Sequence, residues 1–236
     1  MENEEQKEEC KQEKARKKSP FVGFWHYGVI LTYLSVVAAI VGICFSAAGH
    51  SGYAVICLLV SGLCDAFDGA VAKTRKNRTK EDKMFGEQID SLSDLIAFGV
   101  SPAMIGYGLG MREWYFIPVF VLFVLCALIR LAYYNVTEEV RTSTEEGDRT
   151  SFEGLPVTNV AVALPIFWLI ATMCVNVAGG LVTKLIMVFA YLLIAFLFVF
   201  RFRMPKAKTR GLLITIAIVA VILITLFCVK HFVLHL

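Results

Sequence analysis

The sequence predicts an all-α, polytopic membrane protein. Hydrophobic residues make up 57% of the 236-residue chain, and the mean hydropathy is +0.66. These residues gather in runs of about twenty, the length that an α-helix needs to cross a hydrocarbon core about 30 Å thick. Basic residues cluster between alternate runs, as they do where the loops of a membrane protein lie on two sides of the bilayer. Together these observations indicate the fold class.

Seven apolar runs are long enough to be membrane spans. They cover residues 26–47, 53–73, 85–109, 114–135, 156–176, 181–200 and 211–231. The preceding tail, 1–22, carries mostly Glu, Lys and Gln with almost no apolar face, which indicates a solvated segment. We expect a membrane domain over 23–203, followed by a basic loop and a last transmembrane helix over 204–236.

The basic residues predict the orientation of the spans. Nineteen of the 23 Lys and Arg residues lie before span 1, or between spans 2 and 3, 4 and 5, or 6 and 7. Lys and Arg are enriched in the cytoplasmic loops of membrane proteins. This rule places the N-terminus in the cytoplasm and, with seven spans, the C-terminus outside.

Four aspartates interrupt spans 2 and 3, where each ionised side chain costs about 3 kcal/mol. Asp65 and Asp68 lie in LCDAFDGAVAK, and Asp90 and Asp94 lie in FGEQIDSLSDLIAFG. Spacings of three and four residues put each pair on one face of its helix. At about 1.5 Å per residue, both pairs lie roughly 8–16 Å from the basic loop between the two spans. The spacing therefore predicts one acidic site that opens to the cytoplasm.

The acidic site has the chemistry of a divalent-metal site. Oxygen ligands without Cys or His favour Mg²⁺, Mn²⁺ or Ca²⁺ over zinc. Four carboxylates carry more charge than one ion neutralises, so two ions are expected, an arrangement typical of displacement at phosphorus. Gly69 and Gly86 beside the aspartates would let a ligand approach the backbone. Four basic residues at the mouth can hold phosphates, namely Lys73, Arg75, Lys76 and Arg78.

The acids have two other interpretations. Ion pairs that only hold the bundle together would need intramembrane bases, and Arg130 in span 4 is the nearest one. One base cannot neutralise four acids. A cation-coupled transporter with an acidic cavity remains open as an alternative on spacing alone.

One composite pattern of eight positions extends over spans 2 and 3. It reads Asp65-x2-Asp68-Gly69-x2-Ala72-Lys73, followed by Gly86-x3-Asp90-x3-Asp94. This pattern closely resembles the signature of the CDP-alcohol phosphatidyltransferase family. Lys73 stands where that family usually has Arg, and the spacer before Gly86 is longer than usual. Lys keeps the charge but lacks the bidentate fork of Arg.

The resemblance implies a core of six transmembrane helices with its site near the cytoplasmic face, to which a seventh, C-terminal helix is an addition. It implies that the four aspartates bind two Mg²⁺ or Mn²⁺ ions and that Asp94 takes the proton from the attacking hydroxyl as general base. It also implies a CDP-binding set that consists of Asp65, Gly69, Ala72, Lys73 and Gly86.

Three further segments narrow the resemblance to one branch of the family. Residues 89–103, 127–135 and 152–157 are similar to blocks of the integral-membrane phosphatidylserine synthases of bacteria and archaea. This similarity implies transfer of the phosphatidyl group of CDP-diacylglycerol to the hydroxyl of L-serine, with release of CMP, in a bacterial or archaeal cell membrane. Glycerol 3-phosphate and an inositol phosphate stay open as alternative acceptors.

Serine must be recognised through its ammonium and carboxylate groups. Arg130 is the candidate for the carboxylate, because an arginine at that depth is costly unless it has a partner; an acid such as Glu87 is the alternative partner. Asn135 is a second candidate for the serine site. Membrane lipids are the remaining expected partners, no nucleic acid is expected, and a homodimer is compatible with the resemblance.

Overall fold

The computed structural model describes residues 29–73, 79–144, 151–205, 217, 218, 220, 221 and 224. The helices are α1 (Ile30–Ala47), α2 (Ser51–Lys73), α3 (Lys80–Asp94), α4 (Ser101–Gly108), α5 (Ile117–Thr144) and α6 (Val160–Val199). A π-helical turn, Leu95–Val100, joins α3 to α4, and 3₁₀ turns at Trp114–Phe116 and Val157–Asn159 precede α5 and α6. Two antiparallel strands, β1 (Ser151–Glu153) and β2 (Arg203–Pro205), pair with each other.

The fold class predicted from the sequence is confirmed. Within the described residues, five helical segments are long and apolar enough to cross a membrane: Ile30–Ala47, Ser51–Asp68, Glu81–Gly108, Trp114–Arg141 and Gly180–Val199. A sixth apolar helix, Val157–Met173, is shorter. The first six predicted spans thus all coincide with apolar helices. The tail at 1–22 lies outside the described residues, as does nearly all of the seventh span, and the domain division stays a prediction.

Helix α3 begins earlier than its apolar run because a capping box defines its start. The Thr79 hydroxyl accepts from the Asp82 backbone N–H at 3.1 Å, and the Asp82 carboxylate accepts from the Thr79 N–H at 3.3 Å. Each contact satisfies a backbone or side-chain group that the first turn would otherwise leave exposed. The helix therefore enters the membrane already formed, and its aspartates are held on a regular element.

Helix α5 continues nine residues past the predicted end of span 4. The predicted span followed hydropathy and covers only the apolar part of the helix, whereas the polar residues after Asn135 continue it. Arg141 donates to Glu138 at 2.6 Å, an i, i+3 pair that supports the added turns.

The long element α6 reverses direction. The Thr183 hydroxyl is 3.4 Å from the carbonyl oxygen of Ala171, although twelve residues of a straight helix would separate them by about 18 Å. At the other end, the backbone N–H of Leu155 donates to the carbonyl of Leu197 at 3.2 Å. The halves on either side of 174–179 are therefore antiparallel, as predicted for spans 5 and 6.

Small residues bring α1, α2 and α6 into close contact. Ser35 and Ser61 share a hydrogen bond of 2.7 Å between α1 and α2, and each hydroxyl also reaches the other residue's backbone carbonyl. A Cβ atom added to Gly62 of α2 would lie 2.5 Å from the Cβ of Ala161 in α6. Such close approach is typical of helix packing in membranes. Asp65 lies one turn after Gly62 on α2, so the contact between Gly62 and Ala161 places Asp65 opposite the start of α6.

An aromatic cluster holds the other half of the bundle together. Tyr191 of α6 is fully buried, and its hydroxyl donates to the carbonyl of Pro102 in α4 at 2.6 Å. Its ring meets Phe120 and Phe123 of α5 edge to face, with centroids 5.5 and 5.2 Å apart. Edge-to-face geometry is favourable for aromatic pairs. The cluster therefore fixes α4, α5 and α6 relative to one another, beyond the aspartates.

We predict that Gly62→Ala lowers the thermal stability of the purified protein, because the Cβ of Ala161 cannot move without its helix. Overpacking of this kind costs about 1–3 kcal/mol, which corresponds to several degrees in Tm. The control is Gly52→Ala in the first turn of the same helix, where an added Cβ meets nothing within 4 Å. Thermal unfolding in detergent should separate the two variants, and equal Tm values would contradict the packing described.

Candidate functional site

Three of the four aspartates converge at one end of the helix bundle. Asp65 and Asp68 of α2 and Asp90 of α3 each offer a carboxylate oxygen, and these oxygens all lie within 4.8 Å of one another. All three side chains are partly buried. Ionised carboxylates at this distance and depth repel one another, and a bound cation relieves the repulsion. The oxygen-only donor set suits a hard divalent ion, so the residues present fit the metal predicted from the sequence.

Asp94 completes the acidic group from the end of α3. Its carboxyl group lies close enough to that of Asp65 to hydrogen bond, although it is not one of the three mutually clustered carboxylates. Asp94 directly precedes the π-helical turn, and such turns are frequent at functional sites. The structure therefore brings all four predicted aspartates together, three in one cluster and the fourth against Asp65.

Two threonine hydroxyls contact the aspartates of α2 from other elements. The Thr32 hydroxyl of α1 donates to Asp68 Oδ2 at 3.2 Å, and Thr158 interacts through its side chain with Asp65. The sequence did not reveal either residue. A threonine in an apolar span gives no signal of its own, and the only hint for Thr158 was its place directly after the family-like segment 152–157.

The predicted nucleotide-binding positions follow the aspartates along α2 and precede them along α3. Gly69, Ala72 and Lys73 lie in the final turns of α2, just past Asp68, and their side chains are outside the part that the structure describes. Gly86 lies one turn before Asp90 and is partly buried. The other basic residues of the mouth, at 75, 76 and 78, fall in the undescribed 74–78. Their roles in binding CDP stay predictions.

Asn135 is tied to the helix that carries Asp90. The hydroxyl of Ser91 donates to Asn135 Oδ1 at 3.0 Å and to the backbone carbonyl of Glu87 at 3.1 Å. This bond crosses from α3 to α5 at Ser91, the residue that follows Asp90 of the carboxylate cluster. Asn135 is therefore close to the acidic group, as its candidate role requires.

Arg130 lies at about the depth of Asp94 on the neighbouring helix. The Ser91–Asn135 bond gives the antiparallel register of α3 and α5, and a Cβ added to Gly99 would lie 3.5 Å from the Cβ of Ala127 in the same register. Counting back from Asn135 at about 1.5 Å per residue puts Arg130 within roughly 3 Å of the level of Asp94. The sequence alone did not specify this register.

The guanidinium of Arg130 is buried and fixed by the segment before α6. Its side chain is part of a residue only 5% exposed, and its Nε–H donates to the carbonyl of Leu155 at 3.1 Å. Gly154 precedes this carbonyl with a φ of +76°, a conformation that favours glycine. Its N–H donates to the carbonyl of Phe202 at 2.7 Å, beside the β1–β2 pair. These hydrogen bonds thus hold the carbonyl group of Leu155 against Arg130.

An apolar groove lies along the helix that carries Asp90 and Asp94. It runs between α1 and α3, has a volume of about 610 Å³, and is lined mainly by aliphatic side chains such as Val36, Ile89, Leu92 and Ile96. Ile89 directly precedes Asp90 in α3, so the groove and the carboxylate cluster share this helix. Leu92, in the groove wall, is 59% exposed.

Known membrane proteins include a family that combines apolar helices with such an acidic cluster. The sequence model of the CDP-alcohol phosphatidyltransferase family matches residues 25–196, and the chain belongs to that family. The match contains all four aspartates together with Arg130 and Asn135. It also contains Thr32 and Thr158, the two residues that the motif did not identify.

Three relatives narrow the comparison. The chain is 39% identical over 109 residues to CDP-diacylglycerol–serine O-phosphatidyltransferase of Saccharomyces cerevisiae, covering 45% of this chain and 38% of the relative. It is 34% identical over 142 residues to archaetidylserine synthase of Methanothermobacter thermautotrophicus, covering 59% and 56%. It is 38% identical over 117 residues to a CDP-diacylglycerol–serine O-phosphatidyltransferase of Helicobacter pylori, covering 47% and 44%. The chain thus matches about two fifths to somewhat more than half of each relative's length.

We predict that Asp90→Asn weakens Mn²⁺ binding by about tenfold or more, because it removes one ionised ligand from the cluster. Titration of the purified protein followed by electron paramagnetic resonance measures the free ion. The control is Glu81→Gln, which removes one charge from the exposed first turn of the same helix. If both variants bound Mn²⁺ as the unmodified protein does, the cluster would not be the metal site.

Proposed function

We propose that this protein is a phosphatidylserine synthase, which transfers the phosphatidyl group of CDP-diacylglycerol to the hydroxyl of L-serine and releases CMP. The observation that carries the proposal is the convergence of three carboxylates from the family signature within 4.8 Å of one another. The names of the relatives support the reaction, since those cited describe the synthesis of a serine phospholipid. Membership of a transferase family also favours this function over the cation-coupled transporter.

The choice of serine as acceptor draws support from the residues beside the cluster. A zwitterion of this size needs one group for its carboxylate and acidic or carbonyl oxygens for its ammonium. Arg130, buried at the level of Asp94, supplies a planar fork that matches a carboxylate. Asn135 offers amide groups from the same helix. Glycerol 3-phosphate or an inositol phosphate would bring a second phosphate and call for more basic residues.

The reaction requires the serine hydroxyl to lose its proton as it attacks the phosphorus next to the diacylglycerol. Asp94 is the proposed general base, as the family resemblance implies, and its carboxyl group lies beside that of Asp65 at the edge of the cluster. Asp65, Asp68 and Asp90, together with Asp94, would hold the divalent ions. When bound, Mg²⁺ or Mn²⁺ ions withdraw charge from the pyrophosphate and stabilise the departing CMP. The phosphatidyl–oxygen bond to serine forms as the bond to CMP breaks, and the proton passes to Asp94.

The diacylglycerol chains can stay in the bilayer during the reaction. The groove between α1 and α3 has apolar walls, and one of its lining residues, Ile89, directly precedes Asp90 in α3. An acyl chain lying in it would keep the pyrophosphate next to the carboxylates. We therefore assign the groove to one chain of CDP-diacylglycerol.

The proposed site faces the cytoplasm. The carboxylates lie near the C-terminal end of α2 and the N-terminal half of α3, and these ends join through the basic segment between Lys73 and Lys83. The positive-inside rule assigns such a segment to the cytoplasmic side, where serine and CMP are dissolved. A homodimer remains a prediction from the family resemblance.

The test is an assay of purified protein with CDP-diacylglycerol, Mn²⁺ and isotopically labelled L-serine, followed by CMP release and by labelled lipid. We expect both products with serine and neither with glycerol 3-phosphate or inositol phosphate. Asp94→Asn should abolish turnover while its Tm stays close to that of the unmodified protein. Turnover with a phosphorylated acceptor instead of serine would refute the assignment, and near-normal activity of Asp94→Asn would remove Asp94 as the base.

We predict that Arg130→Lys raises the KM for serine by about 10- to 100-fold and that for CDP-diacylglycerol much less, because Lys cannot form a fork with a carboxylate. Steady-state kinetics with each substrate varied in turn measures both constants. Arg141→Lys is the control, since Arg141 lies further along α5 and pairs with Glu138 near the surface. An equal rise in both constants, or a fall in Tm without any kinetic change, would mean that Arg130 only fixes the loop at Leu155.

A further inference from the structure

The acidic signature lies on α2 and α3, yet one of its carboxylates is held from a helix that carries no charge. Thr32, in the first turn of α1, is 4% exposed, and its hydroxyl donates to Asp68 Oδ2 at 3.2 Å. No position of the signature lies on this helix. The contact therefore adds a third helix to the surroundings of the cluster.

The chemistry of this contact suits the positioning of a metal ligand. A β-branched side chain has few χ1 rotamers in a helix, so the backbone of α1 largely sets where the Thr32 hydroxyl lies. A hydrogen bond to an ionised carboxylate is roughly twice as strong as one between neutral groups. The bond engages one acceptor site of Asp68 Oδ2. Thr32 thus restricts the orientation of the Asp68 carboxylate.

Asp65 also has a threonine neighbour, which comes from a different element. Thr158 lies in the 3₁₀ turn before α6 and interacts through its side chain with Asp65. The close contact of Gly62 with Ala161 holds α2 next to the start of α6 and to the turn that precedes it. The two aspartates of α2 are therefore flanked by hydroxyl groups from two different elements, which restrict both side chains.

A purely structural role for Thr32 is less suited to the contacts of α1 and α2. The Ser35–Ser61 hydrogen bonds and the close approach of Gly42 to Cys57 already join these helices further along the same interface. Thr32 is the member of this interface whose hydroxyl reaches the acidic cluster instead of a serine or a backbone carbonyl. Its loss should affect the carboxylate more than the assembly of the helices.

We propose that Thr32 is a positioning residue for the divalent-ion site, which holds Asp68 in the orientation that binds the ion. The inference rests on the metal-binding role of the aspartates in the proposed function. Groups that orient metal ligands typically change metal affinity by about 10- to 100-fold when they are removed. The affinity for the ion is therefore the quantity that should change.

The test compares Thr32→Val, Thr32→Ser and Ser35→Ala with the unmodified full-length protein. Mn²⁺ affinity is measured by electron paramagnetic resonance in the absence of substrates, and Tm is measured with and without Mn²⁺. We expect Thr32→Val to bind Mn²⁺ about tenfold or more weakly and to lose part of the stabilisation that Mn²⁺ gives, and Thr32→Ser to restore both. Ser35→Ala, which removes a hydrogen bond from the same interface, should lower Tm while it keeps the Mn²⁺ affinity.

The outcomes separate this inference from the proposed function. If the unmodified protein failed to bind Mn²⁺, the metal site itself would be refuted. If it bound Mn²⁺ and Thr32→Val did so equally well, only the role of Thr32 would be refuted. A loss of affinity in Ser35→Ala equal to that in Thr32→Val would show that the helix interface in general, and not the Thr32 hydroxyl, controls the site.

Discussion

Mutual repulsion among Asp65, Asp68 and Asp90 is the constraint on which the surrounding structure depends. Three carboxylates within 4.8 Å of one another, at membrane depth, repel one another when ionised and need rigid supports to stay together. The supports are visible in the fold. Two aspartates share one face of α2, a capping box starts α3 before it enters the membrane, and small residues let α1 and α6 approach α2 closely. Packing that is unremarkable for a membrane bundle thereby holds an electrostatically unfavourable group.

The same constraint explains the division of the bundle into two regions. Around the aspartates, the contacts between helices are made by hydroxyl, amide and guanidinium groups, as at Ser91–Asn135 and at Arg130. Further along the helices, Tyr191 and its phenylalanine neighbours fill the interior with rings. A polar end can therefore bind charged substrates while the aromatic half keeps the helices in register. This arrangement suits the proposed substrate, which is half lipid and half nucleotide.

The sequence was sufficient for the features that carry a strong energetic signal. Acids in apolar spans are costly, so Asp65, Asp68, Asp90 and Asp94 could be recognised as candidate site residues. Their spacing also indicated that each pair lies on one face of its helix. Thr32 carried no such signal, because a hydroxyl in an apolar span is inexpensive and common. The β1–β2 pair escaped prediction for another reason: its three-residue strands depend on partners that lie some fifty residues apart in the chain. The extension of α5 beyond the predicted span has a third cause: hydropathy marks where the apolar run ends, whereas the helix itself continues into the polar residues that follow.

The π-helical turn after Asp94 has a consequence for how this membrane helix can change. A π-turn contains one residue more than an α-turn, so the helix beyond it is rotated by roughly 100° about its axis. The helix is continuous across the turn. The residues before it, which include Asp90 and Asp94, and the residues after it, which contact Tyr191, therefore face directions that differ by this rotation. Deletion of one residue within Leu95–Val100 would remove this rotation. The face that bears the aspartates and the face that packs against Tyr191 could then not both keep their present orientation. The length of that segment, and not only its composition, is thus part of what the site requires.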